Sequence, residues 1–478
     1  MDSLPAVFAE AARQNANKIA LVDGKGRTIT FAELKARSDG FAAACRDRGL
    51  ERGSRALIAM PLGIDLYIAL AGIWQAGASA IFPEPALGLA GLRHAARTVR
   101  PDAYVSSGMY RLLRWIVPEL WSTPLLLPTG RAVDQAPDAS ICGEDTALIS
   151  FTSGSTGAPK AIARSHSLLM AQYHAVAPLL GSERAERDLV AFPVFALANL
   201  AAGRTSILPN WKVTKPGHVS AASLCNWVER QEVTRLLIPP VLLERLADVD
   251  LPGSLTTVFT GGGPVFPDVL ERVSRKSPHL RVVMVYGSTE AEPIAELEAS
   301  SLSQEDTAAM QNGAGLCAGQ LVPSIRLRIV DHEIQVAGDH VNQGYLDPRQ
   351  DADTKVQEKD LVWHRTGDAG RLDHRGCLWL LGRHAEVQAT KNGTLFPFAL
   401  ETAARAWPGV SRAALCCLPS GPVLAVEGDR SYLPQWMKEA TRYGITDTRH
   451  LASLPKDKRH RSKTDYERLR ILLVRSTG

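Results

Sequence analysis

Short apolar runs alternate with helical patterns along the first third of the chain. Residues 56–60 and 79–82 are apolar runs of strand length, and residues 65–75 between them have helical spacing and precede Gly77. Strands separated by helices are the pattern of βαβ units, which form a largely parallel sheet. The alternation therefore predicts an α/β fold with layered sheets and helices.

The same pattern continues further along the chain and ends in a segment of different length. A helix is expected to begin near Ser165. Residues 234–238 are expected to form another strand, and the two prolines that follow suit the first turn of a helix. The last hundred or so residues have the size of a small domain. We predict a large N-terminal domain of layered α/β sheets, residues 1–382, and a small α+β C-terminal domain, residues 383–478.

Composition limits the class of protein without naming it. The 478 residues are 45% hydrophobic and 22% charged, as in ordinary globular proteins, and the net charge of +4 is too small to indicate a nucleic acid or an anionic membrane. The seven cysteines have no paired spacing, which favours reduced thiols and a cytoplasmic location. Residues 1–13 are acidic in part and have no long apolar core, so they are not expected to act as a signal peptide, and the sequence contains no apolar run long enough to span a membrane.

One loop carries the clearest chemical signal. Residues 152–160 contain two glycines, four hydroxyl side chains and a final Pro-Lys pair, and they follow the apolar run 147–151. Backbone N–H groups of such a loop can surround an anion, and glycine allows a phosphate to approach closely. The loop is not a Walker A motif, because Pro159 precedes Lys160 and Ala161 follows it. A flexible surface loop is the alternative, and the density of these residues favours phosphate binding.

Three further motifs follow predicted strands. Residues 261–263 are three consecutive glycines, residues 286–290 read Tyr-Gly-Ser-Thr-Glu, and residues 366–368 read Thr-Gly-Asp. Ligands bind at the carboxyl ends of strands in α/β sheets, where a carboxylate can hold a hard cation or accept two hydrogen bonds. A turn with a solvated glutamate is the alternative for residues 286–290.

Together these motifs resemble the adenylate-forming superfamily of acyl-CoA synthetases, nonribosomal peptide adenylation domains and luciferases. The resemblance covers nearly the whole chain. It implies an enzyme that binds ATP, Mg²⁺ and a carboxylic acid, forms an acyl-adenylate and releases pyrophosphate. It also implies that the small C-terminal domain is mobile and rotates over the active site between the two half-reactions.

The resemblance assigns roles to individual residues. The catalytic residues that it implies are Lys463, Thr289 and Lys160, and the Mg²⁺ ligands are Glu290 and Thr156. The nucleotide-binding residues that it implies are Thr152, Ser153, Gly154, Ser155, Thr156, Gly157, Lys160, Gly261, Gly262, Gly263, Tyr286, Gly287, Ser288, Thr289, Asp368 and Arg383. The substrate-binding residues that it implies are Phe195, Leu197, Gly262 and Gly287.

Two of these assignments have structural alternatives. The apolar stretch that contains Phe195 and Leu197 fits core packing as well as an acyl pocket. Lys463 has four basic neighbours within seven residues and could be one cation of a solvated tail, although the family pattern favours the catalytic role.

Departures from the family pattern point to one branch. The charged hinge residue that usually follows Gly-Arg-x is replaced by Ala385, and the sequence before Lys463 lacks the usual Ser-Gly. These features resemble the β-lactone synthetases of olefin biosynthesis, in which the 3-hydroxyl of the substrate attacks the acyl-adenylate. The expected partner is a small 3-hydroxy acid. Coenzyme A or a carrier protein is the alternative acceptor, and a non-catalytic nucleotide-binding protein is the alternative of a different class.

Overall fold

The computed structural model describes residues 3–83, 87–128, 133, 140–151, 159–390, 393–456 and 464–475. The chain divides into two compact units. The first unit comprises Met1–Lys215, Leu224–Leu237 and Asp339–Lys355, and the second comprises Pro216–Ser223, Ile238–Gly338 and Val356–Gly478.

The first unit alternates strands and helices from its beginning. Its helices are α1 (Leu4–Gln14), α2 (Phe31–Asp47), α3 (Ile64–Gln75), α4 (Gly88–Val99), α5 (Leu113–Ile116), α6 (His166–Leu180), α7 (Pro193–Ala201) and most of α8 (Ala221–Arg230). Its strands are β1 (Ile19–Val22), β2 (Thr28–Thr30), β3 (Arg55–Ala59), β4 (Ser79–Phe82), β5 (Ala103–Ser106), β6 (Leu125–Leu126), β7 (Thr146–Phe151), β8 (Ala161–Ser165), β9 (Arg187–Val190), β10 (Thr205–Ile207) and most of β11 (Arg235–Ile238).

These strands form two runs of hydrogen-bonded neighbours. The first run has the order β6-β5-β3-β4-β7-β8 and is parallel except for the antiparallel pair β7 and β8. The second has the order β11-β9-β10-β1-β2. Helix α3 packs into the core of this unit and has ten of its twelve residues buried, which explains why it is apolar on every face.

The second unit contains more antiparallel structure. Its helices are α9 (Pro240–Leu246), α10 (Pro267–Lys276), α11 (Gln304–Gln311), α12 (Pro397–Ala404), α13 (Leu433–Thr441) and α14 (Tyr466–Arg475). Its strands are β12 (Thr257–Gly261), β13 (Arg281–Tyr286), β14 (Ala295–Glu298), β15 (Leu316–Leu321), β16 (Arg326–Val330), β17 (Glu333–Ala337), β18 (Lys355–Glu358), β19 (Leu361–Leu372), β20 (Cys377–Arg383), β21 (Gln388–Thr390), β22 (Gly393–Leu395), β23 (Val410–Leu418), β24 (Gly421–Gly428) and β25 (Asp447–His450).

The strands of the second unit form a mixed sheet, a smaller three-stranded sheet and the antiparallel pair of β21 and β22. The mixed sheet has the order β16-β17-β19-β20-β15-β14-β13-β12, in which β12 and β13 are parallel and β13 and β14 are antiparallel. The smaller sheet is β23-β24-β25, and the fully buried Trp436 belongs to its core. The α/β class and the layered sheets predicted from the sequence are confirmed, and the domain boundary at residue 382 stays a prediction.

An ion pair joins α10 to the residue that follows α12 in the second unit. The Arg405 guanidinium donates to both carboxylate oxygens of Asp268, at 2.9 and 2.7 Å, and its carbon lies 4.4 Å from the centre of the Phe266 ring. The Arg405 side chain is 9% exposed and that of Asp268 is 39% exposed, so solvent screens this contact in part. The pair therefore anchors the segment after α12 to α10.

Candidate active site

Two parallel strands bring two of the predicted motifs to one edge of the mixed sheet. Strands β12 and β13 pair in register, with Gly261 opposite Val285. Tyr286 is the last residue of β13, so the three glycines and the Tyr-Gly-Ser-Thr-Glu motif both begin at the carboxyl ends of these strands. The edge has the position at which α/β sheets bind ligands.

Glycine is required at the end of β12 for two physical reasons. A Cβ atom on Gly261 would lie 2.6 Å from the carbonyl oxygen of Val285, closer than real Cβ contacts allow. Gly262 has a φ of 78°, a left-handed conformation that residues with a side chain rarely adopt. The glycine run therefore keeps bare backbone at this edge, and Gly263 is half-buried beside it.

Three residues assigned to the nucleotide meet in the second unit. In the antiparallel pair β19 and β20, Asp368 lies opposite Arg383. The Tyr286 hydroxyl donates a hydrogen bond of 2.8 Å to Oδ2 of Asp368, and the Arg383 guanidinium lies 3.0 Å from Oδ1. Each carboxylate oxygen has two lone pairs, so each can still accept one further hydrogen bond.

Electrostatics keeps the two donors protonated. Burial raises the pKa of the Tyr286 hydroxyl well above its ordinary value, and the neighbouring Asp368 carboxylate raises it further. The Asp368 carboxylate also raises the pKa of Arg383, with a smaller contribution from Glu290. The arrangement holds one carboxylate between a hydroxyl donor and a cation and suits a ligand that presents a pair of hydroxyls.

The residues after Tyr286 form a tight turn. The backbone N–H groups of Ser288 and Ala291 each bond to the carbonyl of the other residue, at 2.8 and 3.1 Å. Gly287 fits here because a Cβ atom would lie 2.9 Å from the Ala291 carbonyl oxygen. Thr289 and Glu290, both half-buried, lie within this turn.

The acidic groups fit a metal ion that arrives with a nucleotide. In the part of the chain that the structure describes, no group of three or more histidine, cysteine, aspartate or glutamate side chains is placed to hold a metal. Mg²⁺ in nucleotide enzymes is commonly bound through one or two carboxylates together with substrate phosphates. A single carboxylate such as Glu290 is compatible with that mode of binding.

Lys160 occupies a basic site in the first unit. Its ammonium group lies 4.8 Å from the centre of the Tyr345 ring and 3.3 Å from the carbonyl oxygen of Gln350. The ammonium group of Lys355 lies 5.6 Å from the same ring. Sequence motifs predicted no role for Tyr345, Gln350 or Lys355, because these residues are distant along the chain from Lys160 and belong to none of the motifs.

The residues predicted to bind the acyl group lie on a helix. Phe195 and Leu197 belong to α7, are half-buried and pack against the main core of the first unit. The Phe195 ring also meets Phe192 edge-on at 6.1 Å. Both of the original interpretations therefore stay open, since a half-buried side chain can line a pocket and contribute to packing.

Several predicted residues lie outside the described ranges. These are Thr152, Ser153, Gly154, Ser155, Thr156, Gly157 and Lys463. Their assigned roles in phosphate binding, metal binding and catalysis stay predictions.

A buried carboxyl group lies near the described residues that follow Lys463. The Tyr466 hydroxyl and the Leu415 amide donate to the same oxygen of Glu401, at 2.5 and 2.8 Å. Burial raises the pKa of Glu401 to about 7, although both hydrogen bonds act in the opposite direction. Thr464 pairs with Lys456 in an isolated antiparallel bridge, so the chain is held on both sides of residues 457–463.

Sequence comparison defines the class of protein. Residues 8–346 match the family described as AMP-binding enzyme, and this match covers more than half of the chain. The protein therefore belongs to the family of AMP-binding enzymes and is an AMP-forming ligase or synthetase of the adenylate-forming superfamily.

The relatives that match most of the chain include olefin beta-lactone synthetases and CoA ligases. The chain is 28% identical to an olefin beta-lactone synthetase of Stenotrophomonas maltophilia, over 93% of this chain and 91% of that protein. It is 29% identical to an olefin beta-lactone synthetase of Xanthomonas campestris, over 89% and 87% of the two chains. A probable CoA ligase of Humulus lupulus is 24% identical over 86% of this chain and 80% of that protein.

Solved structures confirm the fold. An o-succinylbenzoate coenzyme A synthetase of Bacillus subtilis in complex with AMP superposes with a TM-score of 0.80 at 21% identity, over 97% of each chain. The amide bond synthetase McbA of Marinactinospora thermotolerans superposes with a TM-score of 0.81 at 20% identity, over 98% and 99% of the two chains.

Proposed function

We propose that this enzyme uses ATP and Mg²⁺ to adenylate a 3-hydroxy acid and that the substrate then closes to a β-lactone. The observation that carries the proposal is the similarity to two olefin beta-lactone synthetases along about nine tenths of the chain. Ala385 replaces the usual charged hinge residue, which supports the same branch. A reaction without a thiol acceptor does not require the domain arrangement in which a thioester forms.

The first step joins the substrate to AMP. A carboxylate oxygen attacks the α-phosphorus of ATP, a phosphorus–oxygen bond forms, and the bond to pyrophosphate breaks. Asp368 accepts hydrogen bonds from the ribose hydroxyls while Tyr286 and Arg383 hold its carboxylate in place. These residues orient the nucleotide, and orientation lowers the entropic part of the barrier.

Cations stabilise the charge that develops at the phosphates. Bound Mg²⁺ would supply positive charge beside the phosphates, and Glu290 is the carboxylate assigned to hold this ion. Lys463 and Lys160 supply fixed positive charge, which is most effective when it is already positioned as the transition state forms. We expect Lys463→Ala to lower pyrophosphate exchange by about 100-fold while ATP affinity changes little.

The second step is intramolecular. The 3-hydroxyl oxygen attacks the acyl carbon, a carbon–oxygen bond forms, the hydroxyl proton is released, and AMP leaves with one former carboxylate oxygen. An internal nucleophile has an advantage over an external thiol, because the entropy of bringing the two reactants together has already been lost. Strain in the four-membered ring opposes closure, so the enzyme must hold the 3-hydroxyl against the acyl carbon and keep external acceptors away. None of the seven cysteines, all within the described ranges, forms a disulfide, which supports a reducing, cytoplasmic location.

The alternative function is transfer of the acyl group to coenzyme A or to a carrier protein. The match to a probable CoA ligase favours it, although that match is weaker in identity and coverage. Both functions share the acyl-adenylate, so formation of AMP does not separate them.

Product analysis separates the two functions. The enzyme is incubated with ATP, Mg²⁺ and a panel of 3-hydroxy acids without coenzyme A, and the products are identified by mass spectrometry. We expect AMP, pyrophosphate and a product lighter than the acid by one water. Hydrolysis of the adenylate back to the free acid with every acid in the panel would contradict the lactone proposal.

A further inference from the structure

An exposed apolar patch lies in the first unit, on the segment between β5 and β6. Six of the seventeen large apolar side chains that are exposed in the described chain fall within thirteen consecutive residues. We call them the Trp115 patch, which consists of Met109, Tyr110, Leu112, Trp115, Ile116 and Trp121. Met109 is 76% exposed and Trp115 is 74% exposed, values at which nearly the whole side chain is in contact with solvent.

The patch is built on an ordered segment. Two short 3-10 helices, Gly108–Leu112 and Pro118–Leu120, flank α5, and Val117 and Leu120 are fully buried beneath them. The Tyr104 hydroxyl donates to the Tyr110 carbonyl at 2.7 Å. Buried contacts and a hydrogen bond therefore keep this segment ordered, although its apolar side chains are exposed to water. An ordered, exposed apolar patch of this kind is unusual for a surface that has no binding role.

The two tryptophans are held next to each other. The Trp121 indole N–H donates to the Trp115 carbonyl at 3.3 Å, and the Arg114 guanidinium donates to the Trp121 carbonyl at 3.2 Å. Their rings are amphipathic, with a polar N–H on an apolar body. Tryptophan and tyrosine with these properties concentrate at the boundary between lipid headgroups and acyl chains.

The charges around the patch are mostly positive. Residues 87–127 contain five arginines and two acidic residues, and no acidic residue occurs between Asp102 and Glu119. Arg111 and Arg114 lie within the patch itself, and Arg93 and Arg97 both form ion pairs with Glu119. The whole chain has a small net charge, but this local surface is basic and matches an anionic partner.

We propose that the Trp115 patch and its arginines bind the surface of an anionic lipid membrane. Apolar and aromatic side chains enter the interface while the arginines contact lipid phosphates, as in other surface-bound amphipathic segments. A second copy of the chain is a poorer occupant, because a symmetric contact would bring arginines against arginines. The proposal concerns attachment to a surface and does not depend on the proposed lactone chemistry.

The attachment differs from a membrane span. In the described ranges no helix is long and apolar enough to cross a bilayer. The patch instead provides a few partly inserted side chains and local positive charge, which together give reversible binding that depends on salt and lipid charge.

Vesicle flotation of the full chain tests the proposal. The probes are vesicles of phosphatidylcholine alone and vesicles of equal parts phosphatidylcholine and phosphatidylserine. We expect flotation with the anionic vesicles, little with the neutral ones, and loss of binding at high salt. The variant Met109→Ser with Trp115→Ser, and separately Arg111→Gln with Arg114→Gln, should each weaken binding by about tenfold or more.

Controls separate a loss of the surface from a loss of the fold. Tyr432→Ser with Met437→Ser removes two exposed apolar side chains elsewhere and should float like the wild type. All variants should keep the thermal unfolding midpoint and pyrophosphate exchange of the wild type. The proposal is overturned if the wild type does not bind anionic vesicles, if the patch variants bind them equally well, or if light scattering shows an oligomer that the patch variants dissociate.

Discussion

The carboxylate of Asp368 offers the sharpest test of how the nucleotide is held. Oδ2 accepts a hydrogen bond of 2.8 Å from the Tyr286 hydroxyl, and Oδ1 forms an ion pair with the Arg383 guanidinium at 3.0 Å. One lone pair per oxygen remains for the ribose hydroxyls. Asp368→Asn keeps the shape of the side chain but replaces one acceptor oxygen by a donor NH₂ group.

The magnitude follows from the kind of bond that is lost. A hydrogen bond to a charged group contributes about 1.5–3 kcal/mol, so the loss of one ribose contact should weaken ATP binding by about 10- to 100-fold. The fold should lose less than about 1 kcal/mol, because the Arg383 side chain is 45% exposed and pairs of this kind are screened by water. The effect therefore belongs to ligand binding and not to stability.

A thermodynamic cycle isolates the ribose contact. Equilibrium binding of ATP and of 2′-deoxy-ATP is measured for the wild type and for Asp368→Asn by calorimetry. The deoxy analogue should lose about tenfold in affinity with the wild type and less than about threefold with the variant. Tyr286→Phe serves as the control, because it removes a donor to Asp368 but keeps the acceptor, and it should preserve the discrimination.

The reasoning is refuted if the Asp368→Asn substitution and the removal of the ribose 2′-hydroxyl have additive effects on the binding free energy. If the deoxy analogue loses the same affinity with the wild type and with Asp368→Asn, the carboxylate does not contact the ribose 2′-hydroxyl. The geometry around Asp368 would then have to be explained by its contacts within the protein alone.

Three further predictions concern the stability of the second unit. The pKa of Glu401 is about 7 in the folded protein and about 4.5 in the unfolded chain, so the free energy of unfolding should fall by about 3 kcal/mol as the pH rises between these values. Denaturant titrations at several pH values measure this fall, and Glu401→Gln should lack it. Gly261→Ala should lower the unfolding midpoint and nucleotide affinity because its Cβ meets backbone, whereas Gly253→Ala, in open space, should be neutral. Arg405→Ala should lower the free energy of unfolding by about 1–2 kcal/mol, because it removes a side chain that packs on Phe266 and pairs with the part-exposed Asp268, whereas Arg281→Ala at a pair exposed on both sides should cost less than about 1 kcal/mol in the same titration.

Local patterns were sufficient to predict many elements of the fold. Residues 56–60, 65–75 and 234–238 coincide closely with β3, α3 and β11, because their apolar spacing and flanking glycines or prolines act within a few residues. The mixed sheet of the second unit was harder to predict. Whether two strands run parallel depends on how the chain returns between them, and strand composition does not specify this.

Contacts between residues that are far apart along the chain could not be predicted from the sequence. Asp368 and Tyr286 were both assigned to the nucleotide, but their hydrogen bond joins residues 82 positions apart. Lys160 was assigned to phosphate, whereas its packing beside Tyr345 and Gln350 depends on a segment 190 residues further along. Residue type indicates the chemistry that a side chain can perform, and the fold determines which neighbours surround it.

The acceptor of the acyl group is the most direct test of the central claim. A 3-hydroxy acid and the matching acid without the 3-hydroxyl are each incubated with ATP and Mg²⁺, with and without coenzyme A, and AMP and acyl products are quantified. We predict multiple turnovers of AMP from the hydroxy acid without coenzyme A, a dehydrated product, and a stalled acyl-adenylate from the matching acid. Strict dependence of AMP release on coenzyme A, with a thioester as the product, would contradict the account.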